Sequence, residues 1–242
     1  MSSAPLHFGP ERLMLDPGGA IVWPAQGLLA VADLHLEKGS AAATRGSLLP
    51  PWDSAATLDR LALLLRRHKP ATTILLGDSF HDSAGSARLH PAQRERLALM
   101  ARTTRFVWVL GNHDPQAPAD LPGLAVAELA IGKLVFRHQA QPGSSYEISG
   151  HFHPKASIAA RGATVSRPCF VTDGRRVILP ALGAYTGGLD VHDPAIARLF
   201  PRGGRIFLLG QDRLFSFPYA GRGHASGGVV RSTLSRDGPA AL

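Results

Sequence analysis

The stretch Thr72-Thr73-Ile74-Leu75-Leu76-Gly77-Asp78-Ser79-Phe80-His81-Asp82 decides how the chain is read. β-branched and leucine residues that stop at a glycine and a carboxylate suit a buried parallel strand whose C-terminal end feeds a site. Four other apolar runs end in the same manner. Gly27 to Ala32 leads into Asp33-Leu34-His35, and Phe106 to Leu110 into Gly111-Asn112-His113-Asp114. Leu134 to Arg137 leads into His138, and Ile148-Ser149-Gly150 into His151-Phe152-His153. Oxygen and imidazole donors gathered at several strand ends are what a divalent metal cluster needs. Asp78, with two oxygens to offer, is the natural bridge between two ions.

Each motif alone is ordinary. In Asp33-x-His35 and His151-x-His153 the paired residues share a face if the backbone is a strand, so both can reach one ion. Gly77-Asp78 by itself is as well explained by a turn. The amide of Asn112 suits a hard, carboxylate-containing binuclear site, and Gly150 allows close backbone approach. His113 need not bind metal. With Asp114 to hold one ring nitrogen, it can present a proton to a departing oxygen. His81 and Asp82 adjoin the bridging aspartate and either orient a ligand or belong to a simple turn. His7, His68, His90, His192 and His224 are read as solvated or hydrogen-bonded side chains.

Composition narrows the class. The 242 residues carry a formal net charge of +8, which points to a polyanionic partner or to an arginine-rich compositional bias. The single cysteine, Cys169, excludes an intrachain disulfide and makes a reducing cytoplasmic setting the expectation. No apolar run is long enough to span a membrane, and the uncharged start does not read as a signal peptide.

Along the chain, Arg12 to Leu15 and Ala20 to Trp23 flank a hairpin-like turn at Asp16-Pro17-Gly18-Gly19. After Leu36-Glu37-Lys38-Gly39, a long loop of small residues is expected up to Pro50-Pro51. A helix is predicted from about Ala55 to His68, capped by Asp53 or Ser54, with Leu58, Leu61, Leu64 and Leu65 on one face. Pro91 opens a second helix. Strand and helix alternate through this half, implying right-handed crossovers and a largely parallel sheet. After Pro122 short strand-like runs take over, among them Val126 to Ile131, Ala163 to Ser166 and Cys169 to Val171. The expectation is an α/β chain with two sheets face to face and helices outside. Residues 1–220 form one domain, and 221–242, rich in Gly, Ser, Arg and Ala, a flexible basic tail.

Taken together and in order, Asp33-x-His35, Gly77-Asp78, Gly111-Asn112-His113-Asp114, His138 and Gly150-His151-x-His153 resemble the calcineurin-like metallophosphoesterases. Within that family, Asp33 to Gly39, Arg45 to Pro51, Phe80-His81-Asp82 and Gly183 to Gly188 look like the ligase-associated DNA damage response endonucleases, the PdeM group. The resemblance implies a four-layer α/β/β/α sandwich. It implies that Asp33, His35, Asp78 and His153 hold one divalent ion, and Asp78, Asn112, His138 and His151 the other. Manganese is the first expectation, with iron or zinc as alternatives. His113, with Asp114, would assist the leaving oxygen in phosphodiester hydrolysis. His81, where many members carry an aspartate, and Arg137, where they carry glycine, depart from the pattern and leave the substrate open. The expected partner is DNA, with a repair ligase or helicase implied by the resemblance, and no membrane. Lys38 and Arg45 would line the approach to the metals or be plain solvated side chains. The competing functions are a phosphoesterase acting on a small nucleotide or phosphomonoester, and a non-catalytic scaffold of the same fold.

Overall fold

In the strand leading to Asp33, Leu28, Ala30 and Ala32 face one core and Leu29 and Val31 another, so both faces are covered. The two cores are the two sides of one sheet, and a second sheet closes the inner side. The computed structural model describes residues 2–47, 49–116, 118, 120–160, 163–220 and 230–231.

The first sheet has seven strands in sequence order: β1 (Ala4–Phe8), β2 (Glu11–Leu15), β3 (Ile21–Trp23), β4 (Leu28–Ala32), β5 (Thr72–Leu76), β6 (Arg105–Val109) and β7 (Leu124–Val126). β1 to β4 form an antiparallel meander, whereas β4 to β7 are parallel. Helices α1 (Lys38–Ala43), α2 (Asp53–His68), α3 (Gly85–Arg88) and α4 (Pro91–Met100) fall in the connections that parallel pairing requires. The second sheet contains β8 (Glu128–Ile131), β9 (Leu134–Arg137), β10 (Glu147–Ser149), β11 (Lys155–Ala160), β12 (Ala163–Thr172), β13 (Arg176–Ile178), β14 (Gly204–Leu209) and β15 (Leu214–Tyr219). Its order is β15-β14-β12-β13-β10-β9-β8, with β11 paired to β12 and β16 (Val230–Arg231) to β11. β10 is parallel to both β9 and β13.

Alternation of side chains fills three apolar layers. Ile74, Leu76, Val107 and Val109 meet Leu134, Phe136, Ile148, Phe170 and Val177 between the sheets. On the outer face of the first sheet, Leu75, Phe106 and Trp108 pack on Leu58, Leu61, Leu64 and Leu65 of α2 and Leu97 of α4. On the outer face of the second, Cys169, Val171, Ile178 and Ile206 meet Ile196, Leu199 and Phe200. The four-layer α/β/β/α plan is thus present, with unequal outer layers. Among the described residues, the second sheet is covered by the four-residue helix α5 (Pro194–Ala197) and the chain after it. Each large apolar side chain buried this way is worth roughly 1.5–3 kcal/mol, and the inter-sheet layer joins the two halves of the site.

Several sequence expectations are corrected. The loop expected after Gly39 begins within α1, whose small residues Gly39, Ala41 and Ala42 are buried. Neither Asp53 nor Ser54 caps α2. Asp53 Oδ2 accepts the Gly39 N–H at 3.0 Å, and Ser54 Oγ accepts the Glu37 N–H at 2.9 Å and donates to Glu37 Oε1 at 2.8 Å. These groups brace the segment following His35, where buried amides need partners more than a solvent-facing helix end does. Val126 to Ile131 is two strands, because the chain leaves the first sheet after β7 and enters the second at β8. Ala163 to Val171 is one strand, running through Pro168. The expected tail lies outside the described residues, apart from Val230–Arg231.

The hairpin turn after β2 is tied to α2. Asp16 is fully buried and accepts the Gly18 N–H at 2.7 Å, two bonds from Arg67 Nη1 at 2.9 Å, and a contact with His68 Nε2 at 2.7 Å. Burial pushes the Asp16 carboxyl up, but the Gly18 amide, His68 and Arg67 outweigh it and hold the group below its ordinary range. A depressed carboxyl contributes stability above its unfolded pKa and loses it as pH falls through the folded value. Asp16→Ala should therefore cost about 1–3 kcal/mol at neutral pH, since it removes the buried acceptor of the Gly18 amide and Arg67. Chemical denaturation at pH 7 and pH 3 should show the variant's deficit shrinking at the acid end; an equal deficit at both would contradict this account.

Candidate metal centre

The expected ligands converge. Asp33 and His35 follow β4, Asp78 follows β5, Asn112 and His113 follow β6, His138 follows β9, and His151 and His153 follow β10. Both sheets therefore deliver their donors at the C-terminal ends of parallel strands.

Two donor sets stand side by side, Asp33 with His35 and His153, and Asp78 with His138 and His151; within each, the nearest donor atoms lie within 4.8 Å of one another. His35 Nε2 is 3.2 Å from His153 Nε2, and His138 Nε2 is 3.0 Å from His151 Nδ1 and 2.8 Å from Asn112 Oδ1. Asp78 lies between the sets. Its Oδ1 accepts the His113 N–H at 2.9 Å, which leaves Oδ2 at 3.8 Å from His35 Nε2 and 3.4 Å from His138 Nε2. Asp33 Oδ2 accepts the His151 N–H at 2.8 Å and stands 3.6 Å from His153 Nε2.

The donor set fits divalent metal. Asp33 Oδ1 and His138 Nδ1 are buried without hydrogen-bond partners, facing each other at 3.5 Å. A proton on His138 Nδ1 directed at that carboxylate leaves the Nε2 lone pair for coordination. Burial pushes the His35 imidazole down to about 3, against the raising effect of Asp33, and burial also lowers His81 and His151. An imidazole held uncharged, as that of His35 is, beside carboxylate oxygens is in the state that a metal ion requires.

The local backbone is not what the sequence suggested. Asp33-x-His35 and His151-x-His153 lie past their strands, so strand-face alternation does not align them. Instead Asp33, His35, Asp78, His151 and His153 all have positive φ, between 29° and 71°, and they are five of the eight non-glycine residues with positive φ among the described residues. Left-handed backbone is disfavoured for side chains of this size and persists where the surroundings over-determine it. Glycines permit the crowding. A Cβ at Gly77 would collide with the His138 ring, one at Gly111 with Asp78 Oδ1, and one at Gly150 with Asp33 Oδ2. The glycines before Asp78, Asn112 and His151 were visible in the sequence; what they make room for was not.

Around the centre, His113 Nδ1 is 2.7 Å from the His81 carbonyl oxygen, and Nε2 is 4.0 Å from Asp78 Oδ2. Since a carbonyl only accepts, Nδ1 carries the hydrogen and Nε2 faces the metal side. The expected Asp114 partnership is corrected. Asp114 accepts the Phe80 and Gly111 N–H groups at 3.0 and 3.1 Å, shaping the turn rather than holding the His113 ring. Burial raises its carboxyl to about 7, the two amides pulling it down and Asp78 adding to the rise. His81 lies against the centre, its ring stacked on His113 with centroids 5.3 Å apart. Asp82 turns away to Arg88 at 2.8 Å, and Arg137 pairs with Glu128 at 3.1 Å. Arg45 Nη2 is 3.3 Å from His81 Nε2, while Lys38 Nζ donates to the Tyr185 carbonyl at 2.9 Å. Unforeseen in the sequence is a hollow of about 310 Å³ beside His153, lined in part by Arg60, Lys155 and Thr186.

The calcineurin-like phosphoesterase family profile matches residues 28–163, which contain every candidate ligand. The chain belongs to the calcineurin-like phosphoesterase family. It is a hydrolase of the metal-dependent phosphoesterase kind. Among solved structures, Pseudomonas putida nuclease MPE is 30% identical, with a TM-score of 0.67 over 88% of this chain and 100% of that one. Yfce, a phosphoesterase from E. coli, is 15% identical with a TM-score of 0.37, covering 76% of this chain and 88% of that one. A predicted phosphoesterase from Streptococcus pneumoniae TIGR4 is 12% identical with a TM-score of 0.30, covering 79% and 96%. No curated protein matches the chain. Among the described residues, no helix is long and apolar enough to cross a membrane.

Gly77→Ala should push His138 aside and lower bound metal while leaving the fold intact. Gly132→Ala is the control, because Gly132 also has positive φ, 58°, but open space around its missing Cβ. That variant should cost on the order of 1 kcal/mol of strain and keep its metal. Equal metal contents by atomic emission spectroscopy in the two variants would contradict the close-packing argument.

Proposed function

We propose that the centre is binuclear, holds manganese, and hydrolyses phosphodiester bonds of DNA in a repair setting. The residue assignment rests on Asp78, whose free oxygen stands between the two donor sets. Asp33, His35, Asp78 and His153 would hold one ion, and Asp78, Asn112, His138 and His151 the other. The nuclease reading rests on the likeness to the P. putida nuclease, which spans that protein's whole chain. Two divalent ions held there supply positive charge to the phosphoryl oxygens and make a water nucleophile more acidic.

The chain's own residues supply the rest. His113 keeps its Nδ1 hydrogen on the His81 carbonyl, so the ring is oriented and Nε2 is the atom that can hold a proton for the leaving oxygen. Asp114 acts at one remove: by gathering the Phe80 and Gly111 amides it holds the two ligand turns together. Arg45, against His81, offers an exposed guanidinium where a strand of phosphates would approach. Lys38 reaches the same edge, with its ammonium anchored on Tyr185. The buried free Cys169 accords with a reducing, cytoplasmic setting.

Hydrolysis of defined single-stranded, nicked and duplex DNA with manganese, beside aryl phosphodiester and phosphomonoester substrates, tests the reading. Turnover of the monoester alone would overturn the nuclease assignment. His113→Ala should retain metal yet lose about 10²–10⁴-fold in rate, less for aryl esters, whose good leaving groups need no proton. Equal losses on good and poor leaving groups would remove the proton-donor role. Lys38→Ala and Arg45→Ala should weaken DNA binding while sparing small aryl esters. Each should also flatten the salt dependence of DNA binding, by about one unit of slope for every phosphate no longer neutralised. DNA affinities matching the parent across salt would place the DNA path elsewhere.

A further inference from the structure

A cavity of about 810 Å³ opens at the end of the second sheet opposite the metal centre. Its walls come from residues 142–145 before β10, 173–176 at the start of β13 and 201–205 leading into β14, with Leu6 and Phe207 also lining it. His151 follows the other end of β10, and the cavity shares no residue with the metal centre.

Its charge is one-sided. Arg175, Arg176, Arg198, Arg202 and Arg205 line it, with Asp173 as the acidic residue among them. Asp173 Oδ1 is occupied by the Arg175 and Arg176 backbone amides at 2.9 Å each. Arg205 Nε donates to Ser216 Oγ at 3.0 Å. The guanidinium groups of Arg175, Arg198 and Arg202 form no ion pair among the described residues.

Arg176 marks the position as built. It is only 7% exposed, donates from Nη1 to the Leu199 carbonyl at 2.9 Å and from Nη2 to the Ser144 carbonyl at 3.0 Å, and leaves a buried Nε without a partner. Glu147, its register partner across β10 and β13, forms no ion pair with it among the described residues. That carboxylate accepts the Gln141 N–H at 3.0 and 3.1 Å and lies 3.7 Å from Arg137 Nε. Two carbonyls can tie Arg176 to neighbouring turns, which is the purely structural reading. Neither they nor the Phe200 ring, whose centroid is 5.9 Å from the guanidinium carbon, supplies a negative charge to balance a buried guanidinium, and four further arginines lining the same cavity add positive charge. An anion in the cavity resolves both costs.

The chemistry narrows which anion. Planar guanidinium forks match phosphate oxygens two at a time, and the volume lies in the range of small-molecule sites, roughly 300–1,000 Å³. The lining aromatics are not open to a nucleobase. Phe207 and Tyr219 are 8% and 4% exposed, and the Tyr219 hydroxyl donates to the Val191 carbonyl at 2.6 Å. We propose that the arginine-lined cavity is a second anion site, separate from the metal centre, that takes a compact ligand carrying several phosphate groups. Recognition is through phosphate oxygens, whether the group is inorganic or belongs to a nucleotide.

Calorimetric titration of the metal-loaded protein with tripolyphosphate and with ATP, at about 0.15 M salt, tests this. Arg198→Ala/Arg202→Ala removes two exposed arginines of the cavity; Arg66→Ala/Arg102→Ala removes two exposed arginines elsewhere and loses the same net charge. The cavity variant should lose at least about tenfold in tripolyphosphate affinity, the control should stay within about threefold of the parent, and both should keep aryl-ester turnover. Similar losses with both ligands would support recognition through phosphate oxygens, and a loss confined to ATP would overturn it. Equal affinities in the two double variants, or no binding to the parent beyond one metal-competed event, would overturn it.

Discussion

Hydrogen bonds across the centre join its two halves: the buried carboxylate of Asp33, on the first sheet, accepts the N–H of His151, on the second, and Asn112 Oδ1 meets His138 Nε2 at 2.8 Å. Asp78 does the same within the first sheet by accepting the N–H of His113. Each aspartate thus spends one oxygen on positioning a neighbouring loop and keeps the other for the ligand cluster. The arrangement holds only while the sheets keep their register, which is the work of the apolar layer between them. Ala32 and Leu76, the last residues before the loops that carry Asp33 and Asp78, belong to that layer.

The centre concentrates backbone strain. Five candidate ligands in left-handed conformation sit among glycines that admit no side chain. Such conformations cost about 1–3 kcal/mol each, and the burial of the surrounding strands offsets them. The same crowding explains why Asp53, Ser54 and Glu37 are used as braces beneath the His35 loop and not as helix-capping groups.

The positive charge is unevenly employed. Arg67, Arg88, Arg96 and Arg137 are committed to carboxylates that hold local structure. Lys38 and Arg45 edge the metal centre, whereas a separate group of arginines gathers at the opposite pole. Net charge alone therefore describes neither a uniform DNA-binding face nor a mere compositional bias.

By itself the sequence determined which donor residues would gather at the strand ends, and the parallel half of the fold. Buried runs ending in a donor have few stable arrangements, and the pattern repeats around Asp33, Asp78, Asn112, His138 and His151, with a glycine before Asp78, Asn112 and His151. Short-range signals also located α2 and α4 and the hairpin at Asp16. What only the tertiary structure decided depends on contacts between distant segments. Strand alternation suggests the pairing of Asp33 with His35, but both lie past the strand in left-handed backbone. Asp114 reads as the partner of its neighbour His113, yet folding brings the Phe80 and Gly111 amides to it and the His81 carbonyl to the histidine. Val126 to Ile131 reads as one strand because its break is a change of sheet, which leaves no local mark. The arginines of the second cavity lie on separate turns of the chain, so nothing in their spacing announces that β10, β13 and β14 start at the same edge.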